Sequence, residues 1–393
     1  MYASQWNTMQ SLGVEALKNM DRSRQARGKM LDRAGYAPQP TPSTVIHAEP
    51  GMNVLRFDHA APHLAQYMLD DAAAAVAAPA VLLVPAPIKR AYIWDLSPEV
   101  SVARRWLARG YRVYQAEWAP LADDTMDLGL ADYADRLLRS AREAAIADGA
   151  QAQMVVAGHS LGGILAAIHG CLYPEQVRAT VLLEAPLHFD HAANCFAPLV
   201  RATPDARQIA ASFGQVPGAF LNIMSAMAEP HAFQYERVMD RWLSMTDARA
   251  LATHMRVERW THDEFALPGR LFTDIVESLY RNDELMRGTL AVNGRTVGPR
   301  TLRTPLVSVY DPRSKVIPPQ AVLPFHEAAA SPAKLLLKYE GDVGVNLQHV
   351  GVLVGRSAHA RIWPAIFDWL EALDDEEAAA HLPAPAPAPA QPA

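Results

Sequence analysis

The stretch Met154-Val155-Val156-Ala157-Gly158-His159-Ser160-Leu161-Gly162-Gly163 constrains this chain more than any other. An apolar run suited to a strand leads directly into Gly-x-Ser-x-Gly, and small residues open the segment beyond it. A strand that turns at once into a helix brings two backbones together, so the positions flanking the turn must be small. Gly158 and Gly162 meet that need. Ser160 is then expected in a strained conformation, its hydroxyl raised above the sheet at a helix N-terminus. The Leu161 backbone N–H would point where an oxyanion forms. A structural Ser-Gly turn is the alternative, and the strand before and helix after favour a nucleophile.

The rest of the chain supplies a matching frame. Residues 1–45 read as an arm, helical and then Pro-rich (Pro38, Pro40, Pro42). Val54 to Phe57 alternates like an edge strand, and Ala80 to Val84 is a short apolar run suited to burial on both faces. Helices are expected over Glu99–Arg109, Leu128–Ala147 and Ile164–Cys171. Strands are expected over Tyr111–Glu117, Met154–Ala157 and Thr180–Leu183. Alternation at this spacing predicts a doubly wound, mostly parallel sheet, the α/β-hydrolase fold. It stops near Phe189. Residues 190–295 are rich in Met, Phe and Trp at helical spacing and read as a helical cap inserted into a core of 46–189 and 296–375. Strands resume at Leu306–Tyr310 and Leu335–Tyr339, a helix runs from Ile362 to Leu373, and the Ala/Pro-rich residues 376–393 read as a disordered tail.

A serine hydroxyl needs a base, and in this fold the chain order is nucleophile, acid, histidine. His349 lies after the last strand and before the last helix, where the base belongs. His326 falls on the preceding helix and His359 near the final one. Asp311, the first residue after the strand ending at Tyr310, is the expected acid; a plain turn residue before Pro312 is the other reading. Asp342 is the reserve. The second oxyanion donor is expected from Pro85-Ala86-Pro87-Ile88, where only Ala86 or Ile88 has an N–H, and Ile88 is the choice.

A formal net charge of −6 argues against a nucleic-acid partner. Cys171 and Cys195 cannot make a disulfide framework, and the N-terminus lacks the basic start and apolar core of a signal peptide. The uncharged stretch from Ala72 to Ile88 is broken by Pro79, Pro85 and Pro87 and falls short of the roughly 20 residues a membrane span requires. A cytoplasmic chain without an integral span is expected. His, Cys and acidic residues show no metal-ligand spacing, and neither a metal nor a cofactor is expected.

With these residues placed, the chain resembles the polyhydroxyalkanoate synthases, particularly the short class that works with a second subunit. The resemblance runs from His47 to Leu373. It rests on Arg90-Ala91-Tyr92-Ile93-Trp94-Asp95-Leu96, Leu128 to Tyr133, Gly214-Gln215-Val216-Pro217-Gly218, Val257-Glu258-Arg259-Trp260, Val316-Ile317-Pro318-Pro319 and His349-Val350-Gly351. It implies transfer of a 3-hydroxyacyl group from coenzyme A to the nucleophile and then to a polyester chain. Ser160 and His349 fall on the nucleophile and base positions. A homodimer or a helical partner subunit is the implied partner.

Two positions depart. The family carries cysteine where Ser160 stands, and neither Cys171 nor Cys195 can substitute for it. Its aspartate precedes the Val-Pro-Pro-like stretch by two residues, where this chain has Ser314. A thioester on cysteine is a better leaving group for repeated transfer than an oxygen ester on serine. Three readings result: a serine acyltransferase or (thio)esterase acting on hydroxyacyl or acyl thioesters or esters; an active synthase; or a degenerate synthase-like partner. The first is preferred. Phe220, Met224, Met227, Phe233, Trp242, Trp260 and Phe272 are its candidate acyl-channel residues.

Overall fold

The computed structural model describes residues 2–58, 78–120, 127–190, 195–203, 205–264 and 266–380. The final helix runs on to Ala380, into the first residues of the expected tail, whose remainder, 381–393, lies outside the described residues, as does part of the Ala72–Ile88 stretch. Eight strands form one sheet: β1 (Ser43–Glu49), β2 (Met52–Phe57), β3 (Ala80–Val84), β4 (Arg112–Trp118), β5 (Met154–His159), β6 (Val177–Leu183), β7 (Leu306–Tyr310) and β8 (Lys334–Lys338). Their spatial order is β1-β2-β4-β3-β5-β6-β7-β8. Only β2 runs against its neighbours; every other pairing is parallel. That order, with the second strand reversed, is the α/β-hydrolase arrangement.

The central strands are apolar because both faces are covered. In β3, Ala80, Leu82 and Val84 face one core cluster, and Val81 and Leu83 face the other. The first cluster includes α3 (Leu138–Ala147) and α4 (Leu161–Leu172), and the second includes α2 (Val102–Ala108) and the final helix. In the second cluster Trp106 meets Tyr111 and Phe367 edge-on at 4.7 and 4.8 Å. α2 is shorter than expected because Val100–Ser101 pairs with Asp95–Ser97 before Ser101 caps the helix through Arg104 N.

Two expectations change at the N-terminal end. The edge is β1 rather than the Val54–Phe57 strand, which lies second in the sheet. The arm also packs on the cap. Within it, α1 (Tyr2–Leu31) sends Arg24 to Asn222 Oδ1 at 3.0 Å, and Asp32 just beyond α1 accepts from Arg259 at 2.7 and 3.1 Å. The cap itself is helical, with α5 (Gly218–Ala228), α6 (Arg237–Ser244) and α7 (Ala248–Thr261). No helix among the described residues is long and apolar enough to cross a membrane.

Among the buried histidines, His169 lies away from the Ser160 elbow, and its titration can be read in solution. His169, inside α4, gives Nδ1 to the Ala134 carbonyl at 3.1 Å, and desolvation lowers its pKa to about 4. The unfolded chain takes up this proton near pH 6.5 and the folded chain does not, so stability held above that pH is lost as pH falls toward 4. Between pH 7.5 and 5 His169 should account for about 2 kcal/mol of lost unfolding free energy. Urea unfolding of His169→Gln at both pH values should show a difference smaller by that amount; an unchanged difference would refute the assignment.

Candidate active site

β5 ends at the carboxyl edge of the sheet, beside the point where strand order reverses, β4 lying on one side of β3 and β5 on the other. Open α/β sheets place their sites there. Ser160 comes next with φ 55° and ψ −128°. Its N–H donates to the Leu183 carbonyl at 3.0 Å, and its own carbonyl accepts from Gly163 N at 2.9 Å, starting α4. Sequence dictates this crossing. A Cβ on Gly158 would overlap the Gly162 carbonyl, one on Gly162 the Val84 carbonyl, and one on Gly163 the Ala185 side chain.

Leu161 opens the helix, so its N–H has no acceptor within it. The loop after β3 lies against the elbow. Pro85 O accepts from Trp118 Nε1 at 2.7 Å and Ala86 O from Lys89 N at 3.3 Å, which fixes a turn. Ala86 and Ile88 line the same cavity as Ser160, Leu161 and His349.

His349 lies in the short turn Gln348–Val350. Its ring stacks on His159 with centroids 4.6 Å apart, and the His349 carbonyl accepts from His159 Nε2 at 2.9 Å. Burial, reinforced by His159, holds the His349 imidazole well below its ordinary value and so neutral near pH 7. No hydrogen bond joins it to Ser160 among the described residues; such bonds commonly tighten only when substrate is bound. The cap clamps the preceding loop. Asp240 accepts from Gly344 N and Asn346 N at 2.8 Å each, and its Oδ2 lies 2.7 Å from His254 Nδ1. Asn346, at φ 62°, donates to Glu258 Oε2 at 2.7 Å.

The expected acid is engaged elsewhere. Asp311 Oδ1 accepts from Arg313 N at 2.8 Å, an Asx-type turn, and the side chain makes no contact within ion-pair range of His349. Asp342 accepts from Tyr339 Oη at 3.0 Å, Ser357 Oγ at 2.6 Å and Ser357 N at 3.0 and 3.1 Å, which saturates it. Ser314 holds its own loop, accepting from Ile317 N at 3.1 Å. The carboxylate beside His349 is Glu184, whose Oε2 lies 3.8 Å from His349 Nδ1. Glu184 is fully buried at φ 46°, immediately after β6. Desolvation, then the nearby Asp311 charge, pushes its carboxyl well above the usual range; the Asp311 backbone N–H opposes this. Neither Glu184 oxygen makes a hydrogen bond of normal geometry, the Asp311 backbone N–H approaching only loosely, and His349 Nδ1 makes none. Glu184 belongs to no motif in the sequence. Its signal was a lone acid inside the apolar run Val181-Leu182-Leu183-Glu184-Ala185-Pro186.

The cavity continues from Ile88 and Leu161 into an apolar arm lined by Phe220, Met224 and Phe272. Phe233 and Trp260 line the chamber around Ser160, whereas Met227 and Trp242 face solvent and line neither. Cys171 is a buried thiol with its pKa pushed to about 11, and Cys195 is raised to about 12; both are free. Among the described residues no His, Cys, Asp or Glu cluster is arranged to hold a metal ion.

Sheet order, strained serine and shared cavity together define an enzyme of the α/β-hydrolase class. Within that class the chain is related in sequence to poly(3-hydroxyalkanoate) polymerase subunits, PhaC. It is 25% identical to that of Haloferax mediterranei, covering 90% of this chain and 69% of the relative. It is 26% identical to that of Haloarcula marismortui over 84% of this chain and 67% of the relative. With the Allochromatium vinosum subunit the figures are 24%, 74% and 80%. No family model matches the chain. Among solved structures, the enol-lactonase from Burkholderia xenovorans LB400 aligns at a TM-score of 0.48 and 11% identity, over 84% of this chain and all of that one.

Elbow packing gives a direct test. Gly162→Ala should destabilise the fold by about 3 kcal/mol or more, because the clash is with backbone rather than a movable side chain. Gly13→Ala, on the open face of α1, should be neutral or stabilising. Chemical denaturation of the two variants that gave equal shifts would contradict the crossing described.

Proposed function

We propose that this chain is a serine-dependent acyl-transferring enzyme acting on hydroxyacyl or acyl thioesters or esters through an acyl-enzyme on Ser160. The observation that carries this is the strained Ser160 elbow opening into one cavity with the buried His349. A turn this strained persists only where its surroundings impose it, and such strain concentrates at functional sites.

These groups suffice for the reaction. Ser160 Oγ attacks the acyl carbonyl as His349 Nε2 takes its proton. Oxyanion charge falls at the Leu161 N–H, with Ala86 or Ile88 as second donor. Collapse expels the thiol or alcohol, which receives the proton from His349. Water or an alcohol then attacks the Ser160 ester, again deprotonated by His349, and Ser160 is released. The apolar arm beside Leu161 suits the acyl tail. Similarity to polymerase subunits over most of the chain supports a second reading, in which the acceptor is the hydroxyl end of a growing polyester. The oxygen ester on serine favours hydrolysis or a single transfer.

A fluorophosphonate probe should label the native chain and not Ser160→Ala, and 3-hydroxybutyryl-CoA should release free coenzyme A only with the native chain. Insoluble polymer would select the second reading; neither labelling nor release would defeat both. Filling the apolar arm should reveal the acyl subsite. Met224→Trp should lower kcat/KM for p-nitrophenyl octanoate at least ten-fold relative to the acetate, about 1.4 kcal/mol of lost discrimination. An unchanged ratio would place the tail elsewhere.

A further inference from the structure

We propose that Glu184 is the residue that positions and charge-balances His349, so that the acid has moved from the loop after β7 to the end of β6. This rests on the serine acyl-transfer reading above and assigns the partner of its base.

Two orphaned groups carry the inference. His349 Nδ1 and both Glu184 oxygens are buried without a hydrogen bond of normal geometry, and Nδ1 lies 3.8 Å from Glu184 Oε2. Buried polar groups left unsatisfied are costly, and a pair of them at one point calls for a working arrangement. Closing the gap by roughly 0.6–1 Å would give a normal N–H···O bond. The remaining acids nearby are already engaged, Asp311 in its own turn and Asp342 with Tyr339 and Ser357. Ser314, where the related enzymes' acid would fall by sequence, carries no charge.

The backbone explains why this position can serve. β6 lies directly beside β5, and Leu183 O holds Ser160 N, so Glu184 leaves the sheet next to the nucleophile. Glu184 N donates to Val309 O at 2.9 Å, fixing the carboxylate between the ends of β5 and β7. Its φ of 46° turns the side chain away from the regular strand direction. The groups facing this pair are His159 from β5, Asp311 after β7, and Tyr339 with Asp342 after β8. None of them supplies a positive charge. It is the ionised form of Glu184 that accepts from His349 Nδ1–H. A proton passed from Ser160 to His349 Nε2 gives that carboxylate the one cation available to it, offsetting the burial that otherwise disfavours the charge. The Nδ1 proton stays on the ring, hydrogen-bonded to Glu184, and no second transfer is involved. Fixing Nδ1–H also leaves Nε2 as the acceptor that Ser160 requires.

The test compares fluorophosphonate labelling rates across pH for the native chain, Glu184→Gln, Glu184→Asp and Asp311→Asn. Glu184→Gln should slow the maximal labelling rate roughly 100- to 10,000-fold with probe affinity little changed, and move the acid limb to lower pH by removing the counter-charge. Glu184→Asp should recover part of the rate, and Asp311→Asn should stay within about three-fold of native. Nitrogen-15 NMR of histidine-labelled full-length chain supplies a readout independent of labelling. The native His349 ring should show a downfield Nδ1 proton, assigned by its loss in His349→Ala, that moves upfield in Glu184→Gln. Native-like labelling in Glu184→Gln, or loss in Asp311→Asn instead, would overturn the proposal. A Ser160 that never labels, beside an Nδ1 proton that still depends on Glu184, would defeat the acyl-transfer reading and leave the Glu184 contact standing. If Glu184→Gln does not fold, the absence of a downfield Nδ1 proton in the native chain refutes the proposal.

Discussion

Everything at the site depends on how closely α4 approaches the ends of β3 and β5. Gly158, Gly162 and Gly163 permit that approach, each filling space that a methyl group would contest with backbone or the Ala185 side chain. The contact fixes the helix N-terminus against the loop after β3. It therefore sets the distance between Leu161 N–H and the Ala86–Ile88 segment. It also forces the Ser160 backbone to positive φ, so the hydroxyl leaves the sheet plane and enters the cavity. Strain at one residue and packing at three glycines are two views of one constraint.

Charge around the cavity is arranged by the same economy of space. His159 and His349 are stacked, buried and held neutral, so neither adds charge before substrate arrives. Glu184 is buried without a counter-ion in the resting site, and burial disfavours its ionised form. An isolated charge on either partner is costly there, whereas simultaneous opposite charges compensate one another. Such a site suits the proposed reaction, in which His349 becomes a cation.

Much of the sheet was legible because its signal is local. Ala80–Val84 and Leu306–Tyr310 are uninterrupted apolar runs between breakers, and the strands occupy those residues. β1 was not legible. Ser43–Glu49 is mostly polar or half-exposed, and only its pairing with β2 makes it a strand. The arm's attachment to the cap through Arg24 and Asp32 depends on residues some 200 positions away, which spacing cannot reveal. The acid shows the same limit more sharply. Asp311 has the sequence position of an acid and Glu184 has the geometry, because which carboxylate reaches a histidine is set by the ends of three adjacent strands. Ser160 and His349 carry signals of different kinds, one a turn with strict steric demands and the other a place between the last strand and the last helix.

The Asp240 clamp has a mechanical consequence. The loop that presents His349 is held by backbone donors to a cap carboxylate, and Asn346 reaches further to Glu258 on α7. Cap and His349 loop are therefore one assembly. A cap that swings away to admit a bulky substrate pulls on the loop carrying the imidazole, and the imidazole regains its seat only as the cap returns. The clamp ties the position of the cap to that of the His349 loop, so a displacement of one is felt by the other.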